Sequence, residues 1–159
     1  MQKMKTFLSK ICIPAKFIVP LYVKFENKKQ DPMTQEKKYD VFISYSRKDF
    51  DEVNAFIDML KQCIPTLDIW FDLDGIESGD EFRDKIISAI KRSKYLFFFL
   101  SKNSDQSVWT RKELQFARGK EIKIIPLLLE GVQLQEMDWF LFEFGGLDCI
   151  DITDPKQLE

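Results

Sequence analysis

The segment KYLFFFLSKNSDQSVWTRKEL, residues 94–114, places a long apolar run directly before a helical pattern. After Lys94, the run to Leu100 contains only aromatic and aliphatic residues. A parallel strand that is covered by helices on both faces has this composition, so we predict a central strand here. Ser107 is placed to be the N-cap of the helix that follows, and Gly119 to be its C-terminal stop. The segment therefore predicts one strand-to-helix unit of an α/β fold.

Trp109 and Glu113 lie four positions apart on this predicted helix and therefore share one face. Two interpretations of the pair are open. In the first, the tryptophan packs into the core and the glutamate is solvated, since aromatic residues at helical spacing usually face the core. In the second, the pair belongs to a functional site, because the helix follows a strand and ligands collect at the carboxyl ends of parallel strands.

The rest of the chain continues the alternation of strands and helices. Further strands are predicted at residues 39–45, 67–72, 122–129 and 148–153. Helices are predicted over residues 53–64 and after Ser78, which has the spacing of a capping box with Glu81. We also expect a bulge or break at Pro126, because proline has no N–H for the sheet. The alternation predicts an α/β fold with a central parallel five-stranded sheet flanked by helices.

Composition limits the chemistry that this chain can perform. Its 159 residues are enough for one domain with a real core, and 45% of them are hydrophobic. The net charge of −2 provides no basic surface, so we expect no nucleic-acid partner. The sequence has no histidine, and its three cysteines are scattered without a CxxC pair. These features exclude Cys–His catalysis, argue against a structural zinc site and favour a reducing, cytoplasmic compartment.

Residues 1–37 differ in character from the remainder and are predicted to be an N-terminal extension and linker, with the domain over residues 38–159. Residues 7–25 are mostly apolar, but Lys10, Lys16, Pro14 and Pro20 interrupt them, which argues against a membrane-spanning helix. We expect a short arm that packs on the domain, on a partner or on a membrane surface. The sequence given ends at residues 155–159, where a helix covering the last strand would normally begin, and we expect this final helix to be absent or cut short.

Three motifs in order carry a resemblance to a known family: YDVFISYSRKD at residues 39–49, IWFDLDGIESGDEF at residues 69–82 and FFFLSKNSDQSVWTRKEL at residues 97–114. Over about residues 38–155 they resemble the TIR (Toll/interleukin-1 receptor) domain in its bacterial form. The first looks like the family's first strand and the second like its BB loop. The third looks like the third strand followed by the segment that carries the catalytic glutamate. The resemblance implies a flavodoxin-like TIR fold.

The resemblance also implies an activity, which is cleavage of NAD+ at the nicotinamide–ribose bond to give ADP-ribose or a cyclic form of it. Glu113 matches the family's catalytic glutamate. Substrate contacts are implied for Tyr45, Ser46, Arg47, Glu77, Gly79, Ser107 and Trp109. NAD+ is then the substrate, with no cofactor and no metal. The implied partners are further copies of the chain through TIR–TIR contacts, other TIR domains, or an effector that senses the nucleotide product in antiphage defence or host manipulation.

A chain without histidine can perform this reaction. Nicotinamide leaves NAD+ as a neutral molecule, so no general acid is needed. The ribose becomes oxocarbenium-like, and one carboxylate can stabilise that charge and hold the ribose hydroxyls. Trp109 would supply a flat apolar wall, and Arg47 would supply forked donors for a diphosphate oxygen.

Alternatives stay open for several residues and for the function as a whole. Arg47 could be a surface cation, Glu77 an exposed loop acid, and Ser46 and Ser107 helix caps. The main rival function is a non-catalytic module that binds other TIR domains. A weaker rival is a receiver-like phosphoacceptor, because Asp40 and Asp72 lie near strand ends.

Overall fold

The computed structural model describes residues 38–71 and 80–153, which form a five-stranded sheet with the order β2-β1-β3-β4-β5. Every neighbouring pair of strands is parallel. The strands are β1 (Tyr39–Ser44), β2 (Ile69–Trp70), β3 (Ser93–Leu100), β4 (Lys123–Leu128) and β5 (Ile150–Asp151). The predicted α/β, flavodoxin-like architecture is therefore confirmed.

Five α-helices are present within the described residues. They are α1 (Phe50–Cys63), α2 (Asp80–Lys91), α3 (Lys102–Gln106), α4 (Val108–Gly119) and α5 (Asp138–Phe144). Short 3-10 turns lie at Arg47–Asp49 and Leu134–Glu136. The sequence pattern predicted α1, α2 and α4 but not α3 or α5, which are too short to show a clear helical period. It also predicted a longer second strand than the two residues of β2.

The side chains of β3 alternate between two core layers, as successive residues of a strand must. Phe97 and Phe99 pack with Val53 and Ile57 of α1 on one face of the sheet. Phe98 is completely buried on the other face, among apolar residues of α2, α4 and α5. Both faces of the strand are therefore covered, which explains its uninterrupted apolar sequence.

Pro126 does not break the sheet, so the expected bulge is wrong. Pro126 lies opposite Phe98 in an unbroken parallel register between β3 and β4. The carbonyl of Leu128 accepts a hydrogen bond from the N–H of Ile152, so Leu128 directs its backbone polar groups toward β5. Pro126 stands two residues earlier, so its backbone nitrogen and carbonyl also point toward the β5 side of β4. Pairing with β5 begins only at Leu127, so the missing N–H costs no hydrogen bond in the sheet.

A buried carboxylate joins α3 to α5. Asp105 is 6% exposed, and its Oδ1 accepts a 2.9 Å hydrogen bond from the N–H of Phe140 in the first turn of α5. The N-cap residue of α5, Met137, makes no side-chain cap of its own. An acid from α3 therefore satisfies one of the unpaired N–H groups at the start of α5. Arg111 strengthens the junction by donating to the Asp105 carbonyl at 2.7 Å.

Some predictions fall outside the described residues. The apolar segment 7–25 and the division at residue 37 are among them, as is the Ser78–Glu81 capping box, whose side chains are not described. Within residues 38–71 and 80–153, no helix combines the length and apolar character needed to cross a membrane.

Replacing Phe98 by alanine should lower the free energy of unfolding by about 3–5 kcal/mol, because the substitution leaves a cavity in the packed layer under the sheet. Urea unfolding of the purified variant measures this loss. Phe142→Ala is the matched control. Phe142 is 87% exposed, so the same substitution should change the free energy by less than about 0.5 kcal/mol. Equal losses in the two variants would contradict the described core.

Candidate active site

Glu113 reaches from α4 to the carboxyl end of the central strands. Ser44, the last residue of β1, donates its hydroxyl hydrogen to Oε2 of Glu113 at 2.6 Å. Ser44 is completely buried, whereas Glu113 is half-buried. The carboxylate therefore lies at the rim of the sheet, where ligands collect in parallel α/β folds, and not in bulk solvent.

The packing of α4 sets the direction in which Glu113 points. Thr110, Leu114 and Ala117 form a buried stripe on this helix, spaced by four and three residues. Glu113 lies about 60° from Thr110 around the helix, given 3.6 residues per turn, and so at the edge of the stripe. Ser107 fixes the start of the helix by accepting a hydrogen bond from the N–H of Thr110. The helix thus delivers the carboxylate to the border between the core and the solvent.

Trp109 lies on the surface of the same helix and is not a core residue. Its side chain is 47% exposed, so the core-packing alternative is wrong. The indole meets the ring of Phe82 edge-on at a centroid distance of 6.3 Å, and the Nζ of Lys112 lies 5.4 Å from its centroid. Phe82 stands at the start of α2. The indole of Trp109 therefore lies between α4, which also carries Glu113, and the first turn of α2.

Three other predicted contact residues follow β1 directly, and they differ in how exposed they are to solvent. Tyr45 is half-buried, and its ring lies 5.2 Å from that of Phe71. Ser46 is 8% exposed and makes no side-chain cap, although it occupies the N-cap position of the 3-10 turn. Arg47 is exposed. The cap interpretation therefore does not hold for Ser46, whereas Ser107 does cap its helix.

Glu77 and Gly79 lie outside the described residues, and so does Asp72. Asp40 stands at the amino end of β1, where its carboxylate contacts Lys94 Nζ at 2.7 Å and accepts from the N–H of Asp68. A phosphoacceptor would need to lie at the opposite end of the strand, so Asp40 does not support the receiver-like alternative.

The sequence patterns missed two polar residues at this rim, Ser44 and Asp49. Asp49 accepts hydrogen bonds from Ser101 Oγ and Asn103 Nδ2, each at 2.5 Å. It therefore ties the segment after β1 to the segment after β3. The available signal for Ser44 was a hydroxyl residue directly after the apolar run at residues 41–43, where a buried polar atom requires a partner.

A groove of about 550 Å³ lies elsewhere, between α2 and the β2 edge of the sheet. Tyr39 at the first position of β1 and Arg92 at the end of α2 line it, together with Trp70. Tyr39 and Arg92 lie at the amino end of the sheet, and Glu113 does not line the groove. Size alone therefore does not mark it as the site.

A family model described as the TIR domain matches residues 41–159. The chain belongs to the TIR domain family. The predicted resemblance to this family is thus confirmed.

Two curated relatives and one solved structure illustrate the family. A protein of Methanobrevibacter olleyae named "Probable 2' cyclic ADP-D-ribose synthase TcpO" is 34% identical over 99 residues, covering 58% of this chain and 28% of TcpO. Toll-like receptor 2 type-2 of Gallus gallus is 31% identical over 109 residues, covering 64% of this chain and 14% of the receptor. The crystal structure of the TIR domain of the Toll-related receptor TRR-2 from Hydra magnipapillata has a TM-score of 0.54 at 22% identity, covering 67% of this chain and 81% of that domain.

These likenesses differ in what they carry. The Hydra structure supports the fold alone. The matched segments span well under two thirds of the length of either curated relative, so the activity of those whole proteins does not transfer directly. What the family shares with this chain is the TIR domain itself.

An acidic group flanks the rim of this TIR domain. Burial raises the pKa of Glu52 above its usual value of 4.5, and the nearby charges of Asp49 and Glu130 raise it further. Glu52 is on α1, Asp49 precedes α1, and Glu130 follows β4. The negative charges of three segments thus converge beside the strand ends.

Glu52→Gln should become more favourable for stability, relative to the parent, as pH rises from about 3.5 to about 7. Below pH 4.5, Glu52 is protonated in both the folded and the unfolded state, so the raised pKa does not lower the stability of the parent. As pH rises through the raised folded pKa, the folded state must charge a disfavoured carboxyl, and the parent loses stability. The change should stay below about 1 kcal/mol, since Glu52 is only partly buried and solvent screens its charge.

Urea unfolding of the parent and Glu52→Gln across this pH range measures the difference. Repeating it in 1 M salt is the control, because salt screens the share due to Asp49 and Glu130. A difference that does not vary with pH would mean that neither burial nor the neighbouring charges raise the pKa of Glu52.

Proposed function

We propose that this TIR domain cleaves NAD+ at the nicotinamide–ribose bond, releasing nicotinamide together with ADP-ribose or a cyclic form of it. The observation that carries the proposal is the placement of Glu113. Its carboxylate is held at the carboxyl rim of the sheet by Ser44, on the helix that also exposes the indole of Trp109. A fully solvated surface glutamate would have no such buried partner.

The proposed reaction asks little of the protein beyond charge stabilisation and positioning. Nicotinamide leaves as a neutral molecule, so the enzyme donates no proton to it. Positive charge then develops on the ribose, and the Glu113 carboxylate stabilises it electrostatically in a partly buried place, where such interactions are stronger than in water. Hydrogen bonds from ribose hydroxyls to the same carboxylate strengthen as that charge develops.

The other rim residues hold the rest of the substrate in this proposal. Trp109 offers a flat apolar surface against which a ring can stack. Arg47 offers forked donors that suit a diphosphate oxygen. The ratio of ADP-ribose to cyclic product follows from how well the closed site excludes water, since water and the adenine ring compete for the same anomeric carbon.

TcpO, named as a probable 2' cyclic ADP-ribose synthase, supports this function at 34% identity. The support is for the class of reaction, because the identity is low and the matched segment covers 28% of TcpO.

Glu113→Gln should lower nicotinamide release by at least about a hundredfold, because it removes the charge that stabilises the developing oxocarbenium ion while keeping the size of the side chain. Chromatographic quantification of free nicotinamide from NAD+ measures the rate. Glu121→Gln is the matched control, since Glu121 is exposed just beyond the far end of α4. Equal rates for Glu113→Gln and the parent would remove Glu113 from the mechanism.

We further propose that the active form is an assembly in which a neighbouring BB loop completes the site. Activity per molecule should then rise with protein concentration or with crowding, since a complete site requires association. Specific activity measured from nanomolar to high micromolar protein, beside the sedimentation velocity of the same samples, tests this. A specific activity that stays constant while the protein associates would contradict it.

A non-catalytic interaction module is the second candidate, and one observation favours it. Phe142 is 87% exposed on α5, with Leu141 and Leu147 also exposed nearby in the chain, and such apolar surface is typical of protein interfaces. The chicken Toll-like receptor 2 relative is consistent with this class. Absence of NAD+ turnover in protein that has demonstrably assembled would favour the module over the enzyme.

A further inference from the structure

We infer that Ser44 is a positioning residue that holds the Glu113 carboxylate in the orientation needed for catalysis. This inference rests on the proposed function and names a residue that the TIR motifs of the sequence did not single out. Its basis is a partly buried contact between side chains that lie 69 positions apart in the chain.

The geometry of the contact is that of a strong hydrogen bond. The distance of 2.6 Å between Ser44 Oγ and Glu113 Oε2 lies in the range of about 2.5–2.7 Å that is typical of a hydroxyl donating to a carboxylate. Ser44 is completely buried, so water does not compete for its hydroxyl. A hydroxyl has one hydrogen to donate, and this one is directed at Glu113.

The donor is more rigidly placed than the acceptor. Ser44 terminates β1, which lies between β2 and β3, and its Cα is paired in register with that of Phe98. Glu113 reaches the rim through three rotatable side-chain bonds from the border of α4. A fixed donor therefore selects one arrangement of a flexible carboxylate before substrate binds, which lowers the cost of reaching the reactive geometry.

A structural serine elsewhere in the sheet provides the comparison. Ser93 is also completely buried, begins β3, and donates its hydroxyl to the carbonyl of Ala89 at 2.7 Å. Its partner is a helix backbone atom at the amino end of the sheet, so its role is to join α2 to β3. Ser44 differs because its partner is the side chain proposed to act on the substrate.

Ser44→Ala should lower kcat for nicotinamide release by roughly ten- to a hundredfold while KM changes by less than about twofold, since misplacing a catalytic group by about 1 Å has effects of this size. Ser93→Ala should keep the parent kcat. Ser44→Cys fills the same space with a much weaker donor and should stay slow. An active Ser44→Cys, or an equal loss in Ser93→Ala, would show that filling space or general stability matters and would overturn the inference.

A second measurement tests the contact without relying on activity. In a double-mutant cycle of Ser44→Ala and Glu113→Ala, the unfolding equilibrium constants should show a coupling of at least about tenfold, as expected for a hydrogen bond to a charged group. The Ser93→Ala and Glu113→Ala pair should show none. Absence of coupling between Ser44 and Glu113 would overturn the inference, whatever the kinetics show.

The two proposals fail in different ways. If the assembled parent releases no nicotinamide, the proposed function fails and the catalytic role of Ser44 fails with it, even where the coupling is present. If the parent is active and Glu113→Gln is not, but Ser44→Ala matches the parent, the function stands and only the positioning role is overturned.

Discussion

The parallel pairing of β1 with β3 is the constraint on which the rest of this structure depends. It places the ends of two central strands side by side, with Ser44 opposite Phe98. Because β3 is buried on both faces, helices must cover it on each side, and α4 is one of them. The helix that covers the sheet is thereby the helix that presents Glu113 at the strand ends. The packing of the core and the placement of Glu113 therefore share a single geometric origin.

Buried polar side chains then fix the details that apolar packing leaves free. Asp49 ties the segments after β1 and β3 together, and Asp105 caps α5 from α3. Each places an oxygen where a donor would otherwise be unsatisfied, and losing such a partner costs more than the hydrogen bond itself contributes. The contact between Ser44 and Glu113 belongs to the same class of interaction, but its acceptor is half-buried at the rim. The Glu113 carboxylate is thus held by a buried donor and can still be reached from the solvent, as the proposed reaction requires.

The absence of histidine is compatible with the proposed reaction. A reaction whose leaving group is neutral needs no acid, and a carboxylate oriented by a neutral hydroxyl supplies the charge that the developing cation requires. The cluster of Asp49, Glu52 and Glu130 adds negative potential near the same strand ends. An oxocarbenium-like centre would be stabilised by this field, whereas the diphosphate of the substrate would be repelled by it. Arg47, exposed just after β1, is suitably placed in the chain to offset that repulsion.

The sequence by itself determined the α/β class, the central strand at residues 94–100 and the helix that begins after Ser107, because long apolar runs and capping residues are local signals. It also determined that Glu113 follows a strand end. It could not determine that Trp109 is exposed, since the spacing of residues along a helix does not show which of them other elements of the fold will cover. It could not show that Pro126 is harmless, because that depends on where β5 begins. Only the tertiary structure brought Ser44 to Glu113, since a contact between residues 69 positions apart is set by the crossover of the chain and leaves no local trace.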